Sequence, residues 1–182
     1  MKKIAVYALL TGAMHAFSAQ STAQTAPVEV RSALPAATLS GSAKLTFWGF
    51  DVYNASLWVT PGFKAPDYDQ HGFALELGYL RDFSGEDIAR RSLDEMRRLQ
   101  RIPDAQARQW ERAMRDVFPD VRAGDRISGV NRPGVGVFFL INGKPAGDIR
   151  DAEFARLFFG IWLLPDTSEP RLRQALLAQA AP

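Results

Sequence analysis

Residues 44–59 read "KLTFWGFDVYNASLWV". Most of these side chains are aromatic, β-branched or otherwise at home in an extended backbone. A strand with one wet face alternates apolar and polar residues, yet here large apolar groups point both ways. Lys44–Thr60 therefore reads as one long strand, or as two strands sharing a bend at Gly49. A glycine inside a strand often marks a bulge or a close backbone approach. Lys44, Thr46, Asp51 and Tyr53 are the polar exceptions that need a reason.

Working outward, "TPGF" at 60–63 is a turn, and "FALELGYL" at 73–80 is a second strand with Phe73, Leu75, Leu77 and Tyr79 on one face. Ser84 and the acid at Asp87 have capping-box spacing, so a helix is expected to about Arg101, its inner stripe Ile88, Ser92, Met96 and Leu99. Its outer arginines, 90, 91, 97, 98 and 101, could suggest an anion site. The pairs Glu86–Arg90, Asp87–Arg91 and Asp94–Arg98, each four residues apart with the acid first, favour a solvated, salt-laced face instead. Pro103-Asp104 separates this helix from another at 105–118, with Ala107, Trp110, Met114 and Val117 turned inward.

Residues 125–131, 135–141 and 144–149 read as an antiparallel meander. Asn142-Gly143 supplies its clearest hairpin turn, because a type I′ turn needs two positive φ angles. Gly134-Val135-Gly136 matches no phosphate-binding fingerprint. Helices at 152–162, capped by Asp151, and at 169–178 close the chain. Strands cluster apart from helices, which predicts an α+β fold with a mostly antiparallel sheet and helices packed on one face.

The beginning of the chain reads differently. Lys2 and Lys3 precede a short apolar run at Ile4–Ala13, followed by small residues at Ser21-Thr22-Ala23. That is the pattern of a secretory signal peptide over residues 1–23. The run is shorter than the roughly 20 residues a membrane helix needs. A soluble, periplasmic protein is expected. Residues 24–37 are small and aperiodic and read as a flexible N-terminal arm, with a short strand at Val28–Arg31. Residues 38–178 form one domain.

The chain has 22 Lys+Arg and 20 Asp+Glu, and removal of Lys2 and Lys3 with the signal leaves 20 against 20. A neutral balance gives no footprint for nucleic acid. The absence of cysteine excludes disulfides, thiol chemistry and thiolate metal sites. One of the two histidines, His15, lies in the signal. His71, left in the polar stretch "DYDQHG", reads as a solvated turn residue and cannot build a triad or a multi-histidine metal centre. No metal and no cofactor is expected.

Four stretches carry a further signal: "GSAKLTFWGFDVYNASLWV" (41–59), "FALELGYLRDFSGEDIARRSLDEM" (73–96), "GDRISGV" (124–130) and "FFLINGKPAGDIRDAEFARLFFGIWLLPDTSEPRLRQALL" (138–177). Together they resemble the chalcone isomerase-like family, in its bacterial exported branch, over about residues 38–178. The resemblance implies an open-faced β-sandwich, with a sheet flanked by helices on one side and a ligand cleft on the other. The cleft would explain the two apolar faces of 44–59, since small-molecule sites are concave and mostly apolar with sparse polar anchors. The plainer alternative is that both faces are core, as in any central strand.

Plant members of that family close a chalcone to a flavanone with an arginine, a threonine and a tyrosine, while related members bind fatty acids through arginine and tyrosine. By resemblance, Thr46 falls at the threonine position, Lys44 near the arginine and Ile88 near the tyrosine. Lysine offers a point charge in place of a bidentate fork, and isoleucine has no hydroxyl. The first expectation is therefore non-catalytic binding of a small apolar, fatty-acid-like ligand by Lys44, Thr46, Tyr53 and Phe47. The second is an isomerase, with Lys44 steadying a phenolate and Thr46 organising a water at the ketone, chemistry that needs orientation more than a nucleophile. The third is an envelope protein that docks another protein through its arginine face or its N-terminal arm.

Overall fold

A computed structural model of the chain describes residues 25–180. The signal read over residues 1–23 lies outside them. The elements are α1 (Val28–Ala33), β1 (Thr38–Phe47), β2 (Phe50–Val59), a 3-10 turn at Tyr68–Gln70, β3 (Phe73–Tyr79), α2 (Gly85–Leu99) and α3 (Asp104–Val117). They continue with β4 (Arg126–Arg132), β5 (Gly136–Ile141), β6 (Lys144–Ile149), α4 (Ala152–Leu163) and α5 (Pro170–Leu176). The six strands lie in chain order, β1 to β6, and every neighbouring pair is antiparallel.

The opening stretch is two strands. Trp48 and Gly49 have φ of 52° and 79°, and the chain reverses there so that Phe47 pairs with Phe50 and Lys44 with Asn54. Asn142 and Gly143 make the corresponding reversal between β5 and β6 with φ of 50° and 80°. Both are two-residue turns with paired positive φ. Asparagine signals the second in sequence; tryptophan conceals the first.

Alternation then sorts the side chains. Ala55, Leu57 and Val59 of β2 and Phe73, Leu75, Leu77 and Tyr79 of β3 enter one large core with Ile127, Val137 and Phe139. Helices α2, α3, α4 and α5 cover this face, and α4 contributes Phe154, Leu157, Phe158, Phe159 and Trp162. The helix starts are fixed locally. Ser84 Oγ accepts from the Asp87 amide at 3.0 Å, and Asp151 accepts from the Phe154 amide and from the Trp110 indole, both at 2.9 Å, which ties α3 to the start of α4.

A second, smaller cluster lies on the other face, where Trp58, Ala74, Val130 and Leu140 meet Ala26 and Val30. The strand expected at Val28–Arg31 is thus a helix. Val30 is fully buried against the sheet, and Glu29 binds Arg126 Nη2 at 2.7 Å. Both faces of β2 are apolar near Trp58 because each is roofed by helix.

The ion pairs on α2 also differ in partner. Asp87 pairs with Arg90, Glu95 with both Arg91 and Arg98, and Glu86 reaches Arg115 on α3. Glu95 is buried where Asp94 is exposed, and two guanidinium groups converge on it at 2.6 and 3.1 Å.

Candidate functional site

The main core is solid where the phenylalanines of α4 meet β3 and β5. Phe73 and Phe159 approach to 4.6 Å between ring centroids, and Phe118 and Phe139 to 5.0 Å. Toward the β1–β2 turn the filling changes. Here α2 presents Ile88 and the small Ser92, whose hydroxyl bonds back to the Ile88 carbonyl at 2.8 Å. No large ring from α2 reaches the sheet, and a cavity of about 800 Å³ remains between sheet and helices.

Its walls are Leu45, Tyr53, Leu77, Tyr79 and Ile127 from the sheet, Ile88 and Ser92 from α2, and Phe158, Ile161 and Trp162 from α4. Arg81, Arg90, Arg91, Glu95, Ser168 and Glu169 supply charge and polarity at its edge, with Phe47, Trp48 and Phe50 at the hairpin end. The size lies within the range of small-molecule sites, and an apolar lining with few polar groups is their usual composition.

Two phenols face this space. The Trp162 indole donates to the Tyr53 hydroxyl at 2.9 Å, which leaves the Tyr53 proton free to be donated in turn. Tyr79 stacks edge-on against Tyr53, with centroids 6.1 Å apart. Burial pushes both phenols well above the ordinary tyrosine range, and the Trp162 bond offsets only part of this at Tyr53. Both therefore stay protonated at neutral pH and act as hydrogen-bond donors. Among the charges that bear on Tyr53 are Glu169, Glu95 and Arg91. Glu95 is held by Arg91 and Arg98, and Arg98 also donates to the Asp166 carbonyl at 2.7 Å, which fastens α2 to the loop after α4.

A family model described as chalcone isomerase-like matches residues 20–178. The chain belongs to the chalcone isomerase-like family. It is similar to an uncharacterized protein of Haemophilus influenzae, at 27% identity over 139 residues, 76% of this chain and 67% of that one. It is also similar in fold to the crystal structure of a fatty-acid binding protein of Arabidopsis thaliana, with a TM-score of 0.62 at 12% identity, covering 78% of this chain and 87% of the other.

In this member of the chalcone isomerase-like family the cavity lies between the sheet and its helices, not on the opposite face as expected. Of the residues singled out in sequence, the structure brings Tyr53 and Phe47 to the cavity and leaves Lys44 and Thr46 outside it. Lys44 and Thr46 flank Leu45, so when Leu45 turns to the cavity they turn to the other face. There they bind Asp51, Lys44 Nζ at 2.6 Å and the Thr46 hydroxyl at 2.9 Å. Those two hydrogen bonds hold the Asp51 carboxyl below its ordinary range. The triplet explains the polar residues of the opening stretch: it is an exposed cross-strand brace. Lys44 and Thr46, assigned to both the binding and the isomerase expectations, therefore do not face the cavity.

Sequence reasoning missed Tyr79, Trp162 and Arg91. Tyr79 was legible as a face residue of "FALELGY" and Ile88 as part of the α2 stripe, but nothing local says that their shared interior is left unfilled. Among the described residues no helix is long and apolar enough to cross a membrane.

Proposed function

We propose that this protein binds one small apolar acid, of the fatty-acid type, without chemical conversion, in the cavity between β1–β3 and helices α2 and α4. The observation that carries the reading is the pairing of an apolar cavity of about 800 Å³ with the two protonated phenols of Tyr53 and Tyr79. The hydrocarbon body would lie against Leu45, Leu77, Ile127 and Ile161. The head would take hydrogen bonds from Tyr53 and Tyr79, and charge from Arg91, which can turn from Glu95 because Arg98 continues to neutralise that carboxylate. The name of the Arabidopsis relative, a fatty-acid binding protein, supports the same ligand class.

The same proposal places the protein among the exported bacterial members of the family, in the periplasm. The lysine-flanked apolar start and the small residues before Gln24 support this. N-terminal sequencing of protein from a periplasmic fraction tests it, with a start near Gln24 expected and an intact Met1 counting against it.

The ligand reading is tested by purifying the protein under native conditions and identifying co-extracted molecules by mass spectrometry. A bound long-chain acid, lost in the Tyr53→Phe, Tyr79→Phe double variant, is the expected result. Recovery of empty protein that takes up no added fatty acid would overturn the proposal.

A further inference from the structure

The β1–β2 turn is built against local preference. Its first central residue, Trp48, has φ 52°, a left-handed conformation that costs a residue with a Cβ about 1–2 kcal/mol. The same turn at Asn142-Gly143 uses the residue that accepts this conformation most readily. Trp48 gains no burial in return, being 86% exposed. Phe47 and Phe50 beside it are 53% and 60% exposed, and Leu80 on the adjacent connection is 38% exposed. Four residues, Phe47 to Phe50, thus form an uncharged aromatic tip.

The charge around the tip has a definite arrangement. The only charged residues of the hairpin, Lys44 and Asp51, neutralise each other at 2.6 Å. Arg81 lays its guanidinium over the Phe50 ring, 4.8 Å from the centroid, and pairs with no acidic side chain among the described residues. Aromatic groups that lead, with one unpaired cation behind them, match a phospholipid surface. Tryptophan and phenylalanine partition at the interface below the headgroups, while a guanidinium fits the phosphates.

We infer that the Phe47–Phe50 hairpin tip is a membrane-surface anchor, inserting Trp48, Phe47 and Phe50 into the interface of a phospholipid leaflet while Arg81 pairs with lipid phosphate. The same three aromatics border the cavity, so docking would hold the cavity's hairpin end against the leaflet. The anchoring rests on the hairpin tip and Arg81 beside it; its use for acquiring ligand rests on the binding reading above.

Vesicle sedimentation of the full protein tests it, with phosphatidylcholine vesicles and with mixed phosphatidylethanolamine/phosphatidylglycerol vesicles. Binding to both is expected, stronger to the anionic mixture and largely retained in high salt, because apolar insertion dominates. Trp58, Trp110 and Trp162 are buried, so a blue shift in tryptophan emission on adding vesicles reports Trp48. The variant Trp48→Asn keeps the turn chemistry seen at Asn142 and should fold with an unchanged circular dichroism spectrum. Its partition should fall by roughly tenfold or more. Absence of wild-type binding, or equal binding by the variant, overturns the inference. So does a concentration-dependent dimer that Trp48→Asn abolishes, which would assign the tip to a second copy. These outcomes do not depend on whether a ligand is found in the cavity.

Discussion

The indole of Trp162 on α4 donates to the hydroxyl of Tyr53 on β2 across 2.9 Å, joining residues 109 positions apart at the inner wall of the cavity. This bond fixes both the helix-to-sheet spacing and the direction in which the Tyr53 proton can be offered.

Removing its acceptor should be costly. Tyr53→Phe leaves a buried indole N–H without its partner, a loss of about 1–3 kcal/mol. Trp162→Phe removes the donor but leaves a hydroxyl that still faces the cavity. Urea unfolding of both single variants and the double should therefore be non-additive, with the double variant less destabilised than the singles summed. Strict additivity would show that the bond does not contribute.

Filling the cavity should separate binding from folding. Ile88→Phe places a larger apolar group where α2 fails to reach the sheet. Thermal melts should show a midpoint equal to or above the wild type, because a void gains contacts. Uptake of added fatty acid should fall in the same protein. A destabilised variant that binds normally would place the ligand elsewhere.

The indole N–H of Trp58 is buried on the second face with no hydrogen-bond partner among the described residues. A buried donor left unpaired carries a penalty of about 1–3 kcal/mol. Trp58→Phe removes that donor while keeping an aromatic ring, so the lost volume and the relieved penalty oppose each other. Unfolding free energies should agree within about 1 kcal/mol, in contrast to the several kcal/mol usual for shrinking a buried aromatic.

Glu76 gives the fold a pH dependence on the α1 side. Burial raises its carboxyl above the ordinary value of 4.5; Arg126 opposes this, Glu29 adds to it, and a hydrogen bond from Ser128 opposes it. The folded state thus holds this proton more tightly than the unfolded chain. Its contribution is most favourable below pH 4.5 and declines as pH rises through the raised value. Asp51 and Asp125 are shifted downward, so their effect is confined to the acid side of 3.8, where stability falls as they protonate. Urea midpoints measured upward from pH 4.5 should decline in the wild type and decline less in Glu76→Gln. Parallel profiles would refute this assignment.

Much of the fold was legible because its signals are local. Asn142-Gly143 marks a turn by its own backbone preference, Ser84 and Asp151 mark helix starts by hydrogen bonds three residues long, and period-two patterning places Phe73–Tyr79 on one face. What could not be read depends on distant partners. Trp48 occupies a turn position that sequence assigns to asparagine or glycine, so the stretch reads equally as one long strand or as two strands bent at Gly49, and the full reversal is not signalled. Val28–Arg31 has the β-branched composition of a strand, but it lies over a sheet face where Val30 fills a gap beside Trp58 and Ala74. The candidate site was half legible for the same reason. Tyr53 and Phe47 were found by the aromatic character of the stretch, but which face meets the cavity depends on a register shift between Leu45 and Thr46.

The strictly sequential strand order also bears on how the chain acquires its shape. Tight turns join β1 to β2, β4 to β5 and β5 to β6, and residues 60–72, with their 3-10 turn, join β2 to β3, so each trio can assemble from contacts closer in sequence than those between the trios. Only the ladder that pairs Leu77 with Ile127 and Leu75 with Gly129 must wait for the two intervening helices to fold back. Among the strand pairings, closing that seam has the largest entropic cost, and it should limit how fast the sheet forms on refolding. Conservative truncations at Leu77 and Ile127 should therefore slow refolding, while an equivalent change in the second-face cluster away from that seam, at Leu140 on β5, should chiefly hasten unfolding.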